Sequence, residues 1–198
     1  QSTAVSVPFL TMSVHAGDSP RAYSWLWRYV HQLHVGRHAA AVQHAKLWLL
    51  HWEGDESEEL ELYVSSANLT QAAARDQIQA CWRASVVVGK GASNANLTSW
   101  GVLPAFLSRL VESAGGGDQL FEHFHSLLRR SAAPSGVSFL ASVPGTHSKA
   151  VLQRTPWGRA GLRRVAPADG ATRVAVTAPY VGTWNQEQLS EWCGALGA

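Results

Sequence analysis

The clearest pattern along the chain is an apolar run closed by an acidic turn. Leu47-Trp48-Leu49-Leu50-His51-Trp52 has the length and the aliphatic and aromatic content of a strand. The acidic stretch from Glu53 to Glu59 reads as its turn, and Leu60-Glu61-Leu62-Tyr63-Val64 returns as a second strand. The hairpin so predicted occupies residues 44–66. Before it, Ala4 to Met12 reads as a first strand. Ser19-Pro20 supplies a cap followed by proline at the first helical position, which predicts a helix through Leu33. After it, Trp82 to Val88 is a third β-rich run, and the Gly, Asn and Ser content of 89–99 predicts a loop. Helices are expected at 101–113 and 118–131, the second capped by Asp118. A strand from Val137 to Val143, a short basic helix at 158–165, a strand at 173–178 and a helix at 186–196 complete the pass. Strands alternating with helices predict an α/β layered sandwich, with residues 1–198 forming one domain.

Composition narrows this picture. A chain of 198 residues that is 46% hydrophobic can bury a core of its own. No apolar stretch reaches 18 residues, so no membrane partner is expected. Gln1-Ser2-Thr3-Ala4-Val5 lacks the basic region and apolar core of a signal peptide, and the absence of an initial methionine suits a fragment or a processed chain. Two cysteines, Cys81 and Cys193, are too few for a disulfide framework. Their neighbours Trp82 and Trp192 suggest buried thiols. A reducing, intracellular location follows as the expectation: the nucleus in a eukaryote, the cytoplasm in a bacterium.

Charge is unevenly spread beneath a net +2. Six of the 14 acidic residues lie between Glu53 and Glu61. From Lys149 to Arg173 six basic residues face only Asp169, with Trp157 among them. Such a strip either tracks a polyanion or is an ordinary solvated helix face.

The chemistry concentrates at the open end of the hairpin. On a strand, His44 and Lys46 point the same way, about 7 Å apart. The return strand runs into Ser65-Ser66-Ala67-Asn68 and brings Asn68 back toward His44. An imidazole, an ammonium and a carboxamide converging at one strand edge suit an enzyme that handles a phosphate. Ser-Asn-Ala-Asn-Leu-Thr at 93–98 nearly repeats 65–70, but Ala72-Ala73-Ala74 stands where its own His-x-Lys would fall, so the copy reads as loop chemistry. His31, His34 and His38 read as solvated or capping residues rather than metal ligands. His123-Phe124-His125 lies in an expected helix where side chains two apart diverge, which makes a poor ligand pair.

His44-x-Lys46 followed by Ser65-Ser66-x-Asn68-Leu69 resembles one half of a phospholipase D superfamily site. The commoner version of that motif has aspartate five residues after the lysine, where this chain has His51. A late asparagine instead resembles the tyrosyl-DNA phosphodiesterase family. Gln79 before Trp82, Ser142-Val143-Pro144-Gly145, Trp157-Gly158 then Leu162-Arg163-Arg164, and Val181-Gly182-Thr183 then Trp192 resemble further family segments in the same order.

That resemblance implies a fold: a phospholipase D-like layered sandwich with a mixed central sheet flanked by helices, one half of a pseudo-symmetric pair. It implies a phosphodiesterase acting at DNA 3′ ends, single-stranded or otherwise, that removes a covalently linked tyrosyl peptide in DNA repair. His44 would be the nucleophile, with Lys46 and Asn68 on the phosphate oxygens. Ser66, Gln79, Lys149 and Thr183 would hold substrate. No cofactor and no metal are implied, and no cluster of Asp and Glu suggests a Mg²⁺ pair. The family's second His-Lys-Asn set is missing from 1–198. It is expected either in a C-terminal half or from a second copy, as in small nucleases of the superfamily. His147-Ser148-Lys149 reads as a basic loop near DNA instead. Ala39-Ala40-Ala41 replace an aromatic upstream of His44, and Pro179-Tyr180 replace a pair of serines, so substrate grip should differ. The open alternatives are another nuclease or lipid hydrolase of the superfamily and a non-catalytic DNA-binding half.

Overall fold

A computed structural model describes residues 9–13, 30–34, 45–67, 75–113, 119–143, 147–170, 173, 183 and 185–197. The fold is mixed α/β. Strands β1 (Phe9–Ser13) and β2 (Val30–His34) pair in parallel, with Phe9 opposite Val30 and Ser13 opposite His34. Residues 30–34 therefore belong to a strand and not to the tail of a helix. The parallel partner supplies the backbone hydrogen bonds that a short Val-His-Gln-Leu-His segment would otherwise seek within a helix.

The larger sheet is a meander of β3 (Leu47–Glu53), β4 (Glu58–Ser65) and β5 (Cys81–Val87), antiparallel throughout with β4 in the centre. Leu47 lies opposite Val64, and Glu53 opposite Glu58 across a four-residue turn closed by Gly54 N donating to Ser57 O at 2.9 Å. Alternation puts Leu49, His51, Glu58, Leu60 and Leu62 on one face. Trp48, Leu50, Trp52, Glu59, Glu61 and Tyr63 occupy the other. Leu60 and Leu62 are fully buried, and β5 alternates between exposed and half-buried residues, as an edge strand with one covered face should.

Helix α1 (Asn94–Ser99) stands where a loop was expected. Ser93 explains it: its hydroxyl accepts from Asn96 N at 3.0 Å, the first-turn bond that starts a helix. Helix α2 spans Leu103–Ser113 and α3 spans Gln119–Arg130. Phe121, Phe124, Leu127 and Leu128 recur at helical spacing on α3, and the last two are fully buried. Arg129 and Arg130 close the helix where cations suit its negative end. The carbonyls of Arg129 and Arg130 accept from Ser93 N and Gly89 N, both at 2.8 Å, so the end of α3 is tied to the chain leaving β5.

Residues 137–143 form no ladder. Their Val and Phe content predicts a strand, but propensity without a neighbouring strand leaves only isolated bonds, such as Gly158 N to Ala141 O at 2.7 Å. Helices α4 (Lys149–Arg154), α5 (Arg159–Val165) and α6 (Gln186–Leu196) follow. Helix α6 opens with a capping box of Asn185 and Gln188 and ends on left-handed Gly197. The expected strand at 173–178, apart from residue 173, and the Asp118 cap lie outside the described residues.

The chain divides into two compact units, 1–99 with 107–136, and 100–106 with 137–198. The first is built on the meander, Leu127 and Leu128. In the second, buried Trp100 lies with its ring 5.8 Å from that of Phe139, and Trp157 and Ala195 are buried. Among the described residues no helix is long and apolar enough to cross a membrane.

Candidate functional site

Antiparallel topology gathers three strand ends at one edge of the meander: the start of β3, the end of β4 and the start of β5. Lys46 continues the β3 register, because its carbonyl accepts from Ser65 N at 3.0 Å. By alternation its side chain takes the face of Trp48 and Leu50. Ser66 N donates to Ala80 O at 2.9 Å. The Ser66 hydroxyl then donates to Gln79 Oε1 at 2.6 Å and accepts from Ala80 N at 3.0 Å. Gln79 Nε2 donates to Gln77 Oε1 at 3.0 Å, so that carboxamide is held from both ends. Ser65 Oγ accepts from Ala67 N at 2.9 Å and tightens the turn that leads to Asn68.

Three of the residues singled out by sequence thus meet at one sheet end: Lys46 on β3's leading edge, Ser66 after β4, and Gln79 before β5. His44 and Asn68 lie outside the described residues. Lys149 and Thr183 belong to the second unit. Lys149 is the first residue of α4, whose cap is Ser148 accepting from Val151 N at 3.3 Å. Of the segment read as a basic loop, His147 and Ser148 precede the helix and only Lys149 lies in it, and His147 Nε2 bonds Val143 O at 2.8 Å. Thr183 is exposed.

The basic strip is partly spent internally. Arg159 pairs with Glu191, and Arg164 donates to Gln153 O. Trp157 is only 9% exposed, which removes it as an open stacking platform. It lines an open cleft of the second unit with Ser142, His147 and Arg163. Both cysteines are exposed rather than buried. Cys81 falls on an outward position of β5, and Cys193 on the solvent side of α6, so a tryptophan next door in sequence does not shield either.

Two charged clusters on the meander were missed by sequence reading. Glu61, 4% exposed on the central strand, accepts from Trp52 Nε1 at 2.9 Å, from Tyr63 Oη at 2.9 Å and from Arg83. Burial pushes its carboxyl pKa up, but those three donors outweigh burial and hold it below the ordinary value. Arg83 is correspondingly raised by its bond to Glu61. The sequence places Glu61 on the return strand, and nothing there signals its burial or its three donors.

The second cluster sits at the opposite end and on the other face. Glu58 Oε2 accepts from Arg130 at 2.8 Å, and Arg130 also reaches Oε1. His51 Nε2 lies 2.9 Å from Glu58 Oε1, and His51 Nδ1 lies 3.0 Å from His123 Nε2 on α3. The bond from Arg130 is the chief reason that the Glu58 carboxyl is held low. Desolvation, then the neighbouring His51, pushes His123 down. His51 occupies the position where the commoner phospholipase D motif has aspartate. Five residues from Lys46, it lies on the other face of the strand and serves this cluster instead.

A search of curated proteins finds none that matches the chain. A family model described as tyrosyl-DNA phosphodiesterase matches residues 30–182, more than half of the sequence and the whole of the meander with its polar edge. The chain belongs to the tyrosyl-DNA phosphodiesterase family.

Proposed function

We infer that the chain supplies one half of a DNA 3′-end phosphodiesterase, which hydrolyses 3′-phosphotyrosyl linkages through a phosphohistidine on His44. The observation that carries this reading is the convergence of Lys46, Ser66 and Gln79 at one sheet end, in a member of the tyrosyl-DNA phosphodiesterase family. His44 precedes Lys46 by two residues, and Asn68 follows Ser66 by two. In this reading the fold is half of a phospholipase D-like layered sandwich. A second His-Lys-Asn set comes from the rest of a longer chain or from a second copy.

The chemistry needs few parts. A ring nitrogen of His44 bonds the phosphorus as the bond to the tyrosyl oxygen breaks, and the leaving oxygen takes a proton from the histidine of the second set. Water then cleaves the phosphorus–nitrogen bond, which leaves a 3′-phosphate and restores the imidazole. Lys46 and Asn68 donate to the non-bridging oxygens, where charge grows in both steps. Ser66 and Gln79, locked to each other, fix the edge against which the phosphate docks. Lys149 and Thr183 would add substrate contacts.

The test uses the full-length protein, a 5′-labelled oligonucleotide with a 3′-phosphotyrosine, and EDTA in the buffer. Release of tyrosine, loss of turnover in His44→Ala, and a fall in kcat of about 10²–10³-fold in Lys46→Ala are expected. Cleavage of internal phosphodiesters with the phosphotyrosyl end left intact would replace this reading with a nuclease. Binding without turnover, unchanged in His44→Ala, would leave a DNA-binding half-domain.

A further inference from the structure

The His51 cluster lies far from the polar edge. Five residues of strand separate His51 from Lys46, about 17 Å at 3.3 Å per residue, and the two side chains take opposite faces of the sheet. The phosphate chemistry makes no use of it. Yet its parts are ordered. Arg130 grips Glu58 by both carboxylate oxygens, and Glu58 in turn faces His51 Nε2 at 2.9 Å. A carboxylate there holds the proton on Nε2, so Nδ1 of the neutral ring presents a lone pair. His51 Nδ1 lies 3.0 Å from His123 Nε2 and 3.8 Å from Glu53 Oε1.

We propose that His51 Nδ1, His123 Nε2 and a Glu53 carboxylate oxygen form a binding site for one divalent transition-metal ion of the zinc type, at the turn end of the hairpin. Nitrogen ligands about 2.0–2.1 Å from a tetrahedral ion stand roughly 3.3 Å apart. The two ring nitrogens need to part by a few tenths of an ångström, and the exposed His123 ring to turn so that both lone pairs meet at one point off the line between them. Glu53, with 76% of its side chain exposed, is free to swing inward. His51, 11% exposed, is the rigid member. Its bond to Glu58 is the carboxylate support that metal-binding histidines usually have, which fixes the ring and strengthens its donor nitrogen.

Charge and donor type select the ion. Arg130 and Glu58 neutralise each other, so Glu53 supplies the one formal negative charge among the ligands. Asp55 and Glu56 in the adjoining turn add to the attraction for a cation. Two imidazoles favour Zn²⁺, Ni²⁺ or Cu²⁺ over Mg²⁺ and Ca²⁺, which prefer all-oxygen shells. The fourth position would be water. The ligands come from β3 and from α3, so the ion would staple the helix to the hairpin.

The experiment titrates ZnCl2 into the full chain by calorimetry, in a Cys81→Ser/Cys193→Ser background because both thiols are exposed and would bind zinc. Thermal unfolding with ZnCl2 or MgCl2 runs in parallel. One equivalent of zinc should bind saturably, and zinc at a hundredfold excess over Kd should raise Tm by about 5–10 °C, reversed by EDTA. MgCl2 should do neither. His123→Ala and Glu53→Gln, both exposed positions that the fold tolerates, should each weaken zinc at least tenfold. The proposal is overturned if zinc shows no saturable binding, or if either variant binds as the parent does. Neither readout depends on catalysis.

Discussion

Removing Arg130 tests how the first unit is held together. Its guanidinium crosses from the end of α3 to Glu58 at the start of β4, with 24% and 27% of the two side chains exposed. Fully exposed ion pairs contribute about 0.2–1 kcal/mol, whereas hydrogen bonds to charged groups inside proteins contribute about 1.5–3 kcal/mol. A two-pronged pair only a quarter exposed belongs between these, at about 1–2 kcal/mol of coupling. A double-mutant cycle isolates that quantity: Arg130→Met, Glu58→Gln and the pair, each unfolded in urea at pH 7. Single variants should lose more than the coupling, since each strands the other charge beside His51. Coupling of this size corresponds to roughly 2–8 °C in Tm. The pH dependence has a definite sign. The folded Glu58 carboxyl is held below its ordinary value of 4.5, so its contribution is complete above that pH and is lost as pH falls through the depressed folded value. Coupling under about 0.3 kcal/mol at pH 7, or coupling that grows on acidification, would refute this account.

Other perturbations have equally definite expectations. Leu127→Ala, at a fully buried position, should cost about 2–5 kcal/mol in urea unfolding, and a loss under 1 kcal/mol would mean that the core is elsewhere. Gly170 has φ +76°, and a Cβ there would lie 2.2 Å from the Gly197 carbonyl oxygen; Gly170→Ala should destabilise by about 1–3 kcal/mol and raise proteolysis at the C-terminal end of α6. Asn185→Ala removes the capping box of α6 and should cost about 1 kcal/mol, partly recovered by Asn185→Asp.

What sequence could reveal divides along physical lines. The two strands of the hairpin were legible from their apolar runs, but the turn is four residues, 54–57, rather than Glu53–Glu59, because Glu53, Glu58 and Glu59 pair as strand residues. Helices α3, α5 and α6 were also expected at nearly their observed bounds. Val30–His34 and 137–143 misled in opposite directions, since a strand needs a partner that local pattern does not name. At the polar edge, Lys46 and Ser66 could be singled out because they sit close to the ends of predicted strands, whereas Gln79 was singled out by its resemblance to a family segment. The contact of His51 with His123 spans 72 residues, and nothing local to either histidine signals the other. Glu61 was hidden similarly, as its donors come from three different strands.

The four-residue turn after Glu53 has a reach beyond its own loop. It sets which rung faces which along the ladder from Glu53–Glu58 to Leu47–Val64, and then Lys46 against Ser65. An antiparallel ladder transmits a miscount without attenuation. One residue inserted among Gly54, Asp55, Glu56 and Ser57 is absorbed harmlessly if the loop bulges. If it instead slips β4 by one step, every side chain of β4 changes face, and Ser66 leaves Gln79 about 30 Å from the lesion. The acidic turn is thus a ruler as well as a cap: its length is read out at the far end of the sheet, where Lys46, Ser66 and Gln79 stand.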